Sequence, residues 1–107
     1  FKNKKNILNF ENNLDQIMVK NKELNEKITF LLIPYNYQVQ KENCKKKDLA
    51  EEIIERNIRI RKFNLISFKK AFCNQKNSKN IFLKYDPSHL SPYGHQVVAD
   101  IIKREIN

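Results

Sequence analysis

Ile28-Thr29-Phe30-Leu31-Leu32-Ile33-Pro34 is the stretch on which the fold turns. It is a continuous apolar run in which Thr29 is the only polar member before the proline. A strand without alternation is usually covered on both faces, which is how parallel strands read in α/β sheets. Pro34 closes it, because proline has no N–H to give to a ladder. Upstream, Asn6 to Lys27 carries Ile7, Phe10, Leu14, Ile17, Met18 and Leu24 close to i, i+3, i+4, i+7 spacing. That predicts an amphipathic helix whose stripe from Ile7 to Leu24 lies on a core. Downstream, Tyr35 to Lys47 is polar and aromatic, and reads as a loop leaving the strand's carboxyl end.

A second helix begins at Asp48, whose side chain can accept from the free amides of the first turn. Glu51 three residues later makes a capping-box-like pair with it, and Leu49, Ala50, Ile53 and Ile54 supply the apolar stripe. Ile58 to Ile66 alternates at first and then becomes apolar, predicting a strand in its later half. Ser67 to Cys73 reads as a short helix with Phe68 and Phe72 on one side. Cys73 to Asn80 is a polar connection, and Ile81 to Leu83 is a short apolar patch. Pro92 to Ile106 is the last helix, with Val97, Val98, Ile101 and Ile102 on one stripe. Ser91 is its N-cap and Pro92 its first residue. Helices alternating with strands predict an α/β layer fold with a parallel sheet. Two or three strands make a thin sheet, so residues 1–107 read as part of one domain rather than the whole of it.

Composition narrows the class. The chain has 107 residues, of which 40% are hydrophobic and 31% charged, enough for one modest core. One Gly and three Pro exclude collagen-like and low-complexity architectures. No apolar run approaches the roughly 18–20 residues of a membrane-spanning helix. The chain opens on Phe1 rather than Met, so a longer chain is expected, and the compartment is not legible. The formal charge of +9 invites a nucleic-acid reading. Its scatter argues against one: only Lys45 to Lys47 forms a compact run, in what reads as a loop. Asn, Lys and Ile crowd the chain, so the charge is read as composition and solvated surface, and no nucleic-acid partner is expected. Cys44 and Cys73 form no metal-binding or redox spacing. They pair if their Cα atoms come within about 7 Å, or remain two thiols; the sequence leaves both open.

One segment speaks chemically: Asp86-Pro87-Ser88-His89-Leu90-Ser91-Pro92-Tyr93-Gly94-His95. An Asp and a His three apart, in a loop before a capped helix, can project toward one site. A carboxylate accepting the Nδ1–H of an imidazole fixes its tautomer and leaves Nε2 free to take a proton from a nucleophile. Gly94 permits close approach of another backbone. Tyr35, Tyr37 and Gln38, beyond a strand's carboxyl end, suit the wall of a substrate cleft. They also suit a loop that packs its own aromatics. His95 reads as a helix-surface residue.

This segment resembles the last motif of the SGNH, or GDSL-type, esterases and lipases: Asp-x-x-His, then Leu, Ser, Gly and His, then a helix rich in Val, Ala and Ile. Asp86, His89, Leu90, Ser91, Gly94, His95, Val98 and Ala99 stand in that order. Phe30 to Tyr35 is similar to the family's later sheet strand, which ends in Ile-Pro. The resemblance implies a partial three-layer α/β/α fold with a parallel sheet, its N-terminal strands missing, and residues 1–107 as the C-terminal portion of one domain. It implies that His89 is general base and Asp86 its orienting carboxylate. It implies an ester substrate, whether a small molecule, a glycan or a lipid, and no metal or organic cofactor. The family's nucleophile lies in a Gly-Asp-Ser block and its oxyanion hole in a Gly-x-Asn-Asp block. Gly94 is the only glycine, so both would lie upstream of Phe1, and residues 1–107 alone are expected to be inactive. An O-acyltransferase of the same fold, a truncated non-catalytic remnant and a basic binding module are the alternatives.

Overall fold

The computed structural model describes residues 3–25 and 27–106. The first helix, α1 (Lys4–Leu24), opens on Asn3, whose side chain accepts from the Lys5 amide, and closes on Asn25 in the left-handed region at φ 52°. It is shorter at its end than the expected span; position 26, within that span, lies outside the described residues. Asparagine tolerates the left-handed conformation better than most residues, so it stops the helix there. Leu14 is buried, and Phe10 and Met18 pack beside it. Ile17 and Leu24, expected on the same stripe, are exposed. The residues packed together on this helix thus follow the i, i+4, i+8 row of Phe10, Leu14 and Met18.

The second helix, α2 (Leu49–Ile60), starts where the sequence places it: Asp48 Oδ1 accepts from the amides of Ala50 and Glu51. Its stripe sits further along than expected. Leu49 faces water, whereas Ile53 and Ile58 are buried and Ile54 is packed. The alternating Ile58-Arg59-Ile60-Arg61 is therefore the end of a helix rather than the entry to a strand. Asn57 is buried there and satisfied, donating to the Ile53 carbonyl and accepting from the Arg61 guanidinium. The helix stops in a Schellman pattern: the Phe63 amide reaches the Ile58 carbonyl and the Lys62 amide that of Arg59. Lys62 holds the left-handed position at φ 61°. Phe63 and Ile58 belong to one apolar cluster, the contact that usually accompanies this stop.

Two strands, β1 (Thr29–Leu32) and β2 (Asn64–Ser67), form a two-stranded sheet. The Asn64 amide donates to Ile28 and the Phe68 amide to Leu32, an equal offset at both ends, so the pair is parallel. The expectation of a strand covered on both faces fails: Leu31 and Ile33, on one face of β1, are about 40% exposed. A pair of strands has too few neighbours to sheathe both sides. Further on, α3 (Lys69–Cys73) follows β2, while β3 (Phe82–Leu83) and β4 (Asp86–Leu90) make a separate antiparallel hairpin that leads into α4 (Pro92–Ile106). The chain is thus mixed α and β, with one small parallel pair and one hairpin.

The chain divides into two compact units, one of residues 1–30 and 47–65 and the other of residues 31–46 and 66–107. The first is α1 and α2 around Leu14, Ile58 and Phe63, with the edge of Phe63 on Phe30. Asp15 pairs with Arg61 across it at 2.8 Å. The second holds the larger core: Phe68, Phe72 and Ile81 have no exposure, and Val97, Val98 and Ile101 of α4 close over them. Cys44 and Cys73 form a disulfide in this unit, their Cα atoms 6.0 Å apart. It resolves the choice the sequence left open. The bridge ties the turn after a short 3-10 helix (Asn36–Val39) to the end of α3.

Candidate functional site

The site begins with a carbonyl. Ile81 O accepts the Ser91 amide at 2.8 Å and lies within reach of the Ser91 hydroxyl, which also faces the Asn80 carbonyl. The same Ser91 Oγ accepts from the Gly94 amide at 3.0 Å, so it caps α4 while gripping the segment before β3. Gly94 makes this possible. A Cβ at that position would stand 2.0 Å from Ile81 O, so only glycine lets the helix come this close. Helix and hairpin are thereby locked at one register.

Within that frame the hairpin is irregular. Leu83 pairs with Asp86 across the Lys84–Tyr85 turn, but Phe82 pairs with Leu90. One step along β3 thus answers four along β4, and Pro87, Ser88 and His89 bulge outward. The expected loop is therefore a bulged strand, and the bulge is what folds Asp86 back onto His89. Asp86 Oδ2 lies 2.7 Å from His89 Nδ1, and Oδ1 accepts from the Ser88 hydroxyl at 2.9 Å and more weakly from its amide. The Ser88 hydroxyl first, then His89, hold the Asp86 carboxyl below its ordinary value. With Nδ1 committed to the carboxylate, Nε2 is the atom open to a reactant. His89 is exposed, its side chain 72% accessible.

An open cleft of about 520 Å³ adjoins the imidazole. Ile33, Pro34 and Tyr35 form one wall, just beyond the carboxyl end of β1, and Leu83 and Leu90 of the hairpin another. The structure thus brings three sequence candidates together: Asp86 with His89, and Tyr35 on the cleft that His89 lines. Tyr37 is not among the lining residues; it stacks on Tyr35, ring centroids 6.4 Å apart, and is exposed. The Tyr35 amide is fixed by Gln38 Oε1 at 2.7 Å, so the aromatic's base is held by its own helical turn.

Two features went unread in the sequence. His95 lines the cleft from the first turn of α4, although its place on an amphipathic helix suggests plain surface. A histidine three residues inside a helix that begins next to His89 was the available signal. Leu83 and Leu90, of the two strands that meet at the irregularity, also line the cleft. Of the two serines flanking His89 in the sequence, the Ser88 hydroxyl lies on the Nδ1 side, 3.4 Å away, and that of Ser91 is spent on the helix junction. Among the described residues no group of three or more His, Cys, Asp or Glu is placed to hold a metal. No helix among them is long and apolar enough to cross a membrane. The chain matches no protein-family profile, no curated protein and no solved structure.

Proposed function

We propose that Asp86 and His89 are the acid and base of a serine ester hydrolase of SGNH type, working with a nucleophile carried outside residues 1–107. One observation carries the reading: the 2.7 Å contact from carboxylate to Nδ1, with Nε2 left open beside an apolar cleft. That is the hydrogen-bond order a base toward an alcohol requires. His89 would take the proton of the attacking hydroxyl and return it to the leaving alcohol. Asp86 would hold the tautomer and balance the imidazolium. Tyr35, Leu83 and Leu90 would flank the ester.

The finer expectations belong to the same proposal: a three-layer sheet completed by strands preceding Phe1, and an oxyanion hole that those strands supply. Exposed Leu31 and Ile33 agree with a sheet that has more to cover. The exposed pair also agrees, since an ion pair open to water contributes little until it is enclosed.

The test is to express the chain together with what precedes Phe1 in its gene and to measure hydrolysis of 4-nitrophenyl acetate. His89→Ala is expected to lower kcat/KM by about 10⁴-fold, and Asp86→Asn by a similar factor. Residues 1–107 alone should show no serine-dependent turnover. An upstream sequence without a Gly-Asp-Ser block, or turnover indifferent to His89→Ala, would overturn the proposal.

A further inference from the structure

Leu83 lines more than the cleft at His89. The same residue lines a second open groove, of about 550 Å³, whose other walls include Asn36, Lys79, Asn80 and Lys84. The two spaces thus share an exposed leucine and differ in their charged groups. The first is walled by Ile33, Pro34 and leucines beside two histidines; the second sets two lysines, two asparagines and Ser91 around Phe82 and Leu83.

The charged residues lining the second groove are both lysines, Lys79 and Lys84. Between Ser67 and Asp86 the chain holds five lysines and no acidic residue. Asp86, which ends that stretch, has both oxygens engaged by Ser88 and His89. Lys84 makes no ion pair among the described residues; its Nζ stands 5.4 Å above the centre of the Tyr85 ring. Such a contact holds a cation without neutralising it. Lys79 sits on a short 3-10 turn (Ser78–Asn80) at the other end of β3, with no carboxylate partner among the described residues. Two exposed lysines thus flank one short strand and line a groove whose other lining residues carry no counter-charge. Cations gathered in a recess raise the local concentration of anions, and an ammonium is a compact point charge suited to phosphate or carboxylate.

We propose that this groove is a subsite for an anionic group, phosphate or carboxylate, carried by the ester whose reacting bond lies at His89. The inference rests on the reading of His89 as the base and deepens it by naming the substrate class. The apolar part of the molecule would lie in the cleft, Leu83 would be the divide, and Lys79 and Lys84 would hold the charge. An uncharged ester would then react through the same base while leaving the second groove empty.

The test separates the two readings. Isotope-labelled protein is titrated with inorganic pyrophosphate at low salt, and the backbone amide shifts of Asn80, Leu83 and Lys84 are followed. Saturable shifts confined to these amides are expected, with affinity falling at least tenfold in Lys79→Ala/Lys84→Ala and unchanged in His89→Ala. In the longer gene product, the double variant should raise KM at least tenfold for 4-acetoxybenzoate, which carries a carboxylate, and leave 4-nitrophenyl acetate unaffected. Shifts spread equally over Lys45 to Lys47, or an affinity the double variant does not change, would overturn the subsite while leaving Asp86 and His89 untouched. Tighter binding of a short DNA duplex to the same amides would overturn it too, in favour of a nucleic-acid surface.

Discussion

The two compact units achieve order by different means. The unit of α1 and α2 gathers four buried hydrophobic residues, Leu14, Ile53, Ile58 and Phe63, and relies on helix ends to define it: Asn3 and Asp48 at the starts, Asn25 and Lys62 at the stops. The unit carrying His89 buries eight hydrophobic residues, closes a disulfide and pins a helix to a hairpin through one backbone carbonyl. Caps set the limits of the helices in the first. The second is also pinned by a covalent bridge and by the Ser91–Ile81 junction, and the hairpin that carries the candidate site begins at that junction. A bulge that folds a carboxylate onto an imidazole persists only when its surroundings over-determine it.

The sharpest way to break this contrast is Gly94→Ala. The added methyl meets the Ile81 carbonyl, a backbone atom that cannot rotate aside, so the cost should be about 4 kcal/mol or more. Hydrogen exchange should show protection lost at Phe72 and Ile101 but retained at Leu14 and Ile58. Equal loss in both units would mean that they unfold as one body. Next in size is the disulfide. Cys44 and Cys73 stand 29 positions apart, and removing a cross-link of that span by Cys44→Ala/Cys73→Ala should cost about 3–4 kcal/mol in urea denaturation. The loss should again be confined to the unit that contains the bridge.

Helix starts were legible in both units, whereas the end of α2 and the hairpin were not. Asp48, Ser91 and Pro92 mark helix starts through their own chemistry, and the structure places caps and helices there. Gly94 was readable for a related reason: a lone glycine in a first helical turn signals that something must come close. The end of α2 was misread because Ile58-Arg59-Ile60-Arg61 satisfies a two-residue period as well as it satisfies a helical one, and tertiary packing on Phe63 decides. The hairpin was invisible. Its turn, Lys84–Tyr85, has none of the glycine or asparagine that announces a tight connection, and its bulge depends on Ile81 being held by a residue ten positions on. The spacing of Asp86 and His89 promised a contact; only the bulge explains how a strand delivers it.

Two smaller effects sharpen the comparison. Lys62→Gly should stabilise the first unit by about 0.5–1 kcal/mol, because glycine occupies the left-handed position without the penalty a side chain incurs. A chemical denaturation curve followed at α2 would register it. The second unit offers the weakest handle, a titration. The Asp86 carboxyl lies below the 3.8 of a free aspartate, so its contribution is present above that value and fades as pH falls through the folded value. A carbon-13 titration should show the depressed midpoint. Ser88→Ala should return it further toward 3.8 than His89→Ala does, since the serine hydroxyl is the larger cause.

The grip of Ser91 on Ile81 also sets a tolerance. From that carbonyl, round the hairpin and back to the helix, the path has a fixed length, because both of its ends are the same hydrogen-bonded knot. Adding or deleting a single residue anywhere along it would leave the knot tied and shift Asp86 against His89, or keep the pair and untie the knot. Homologous chains should therefore vary in the spelling of this loop far more freely than in its letter count.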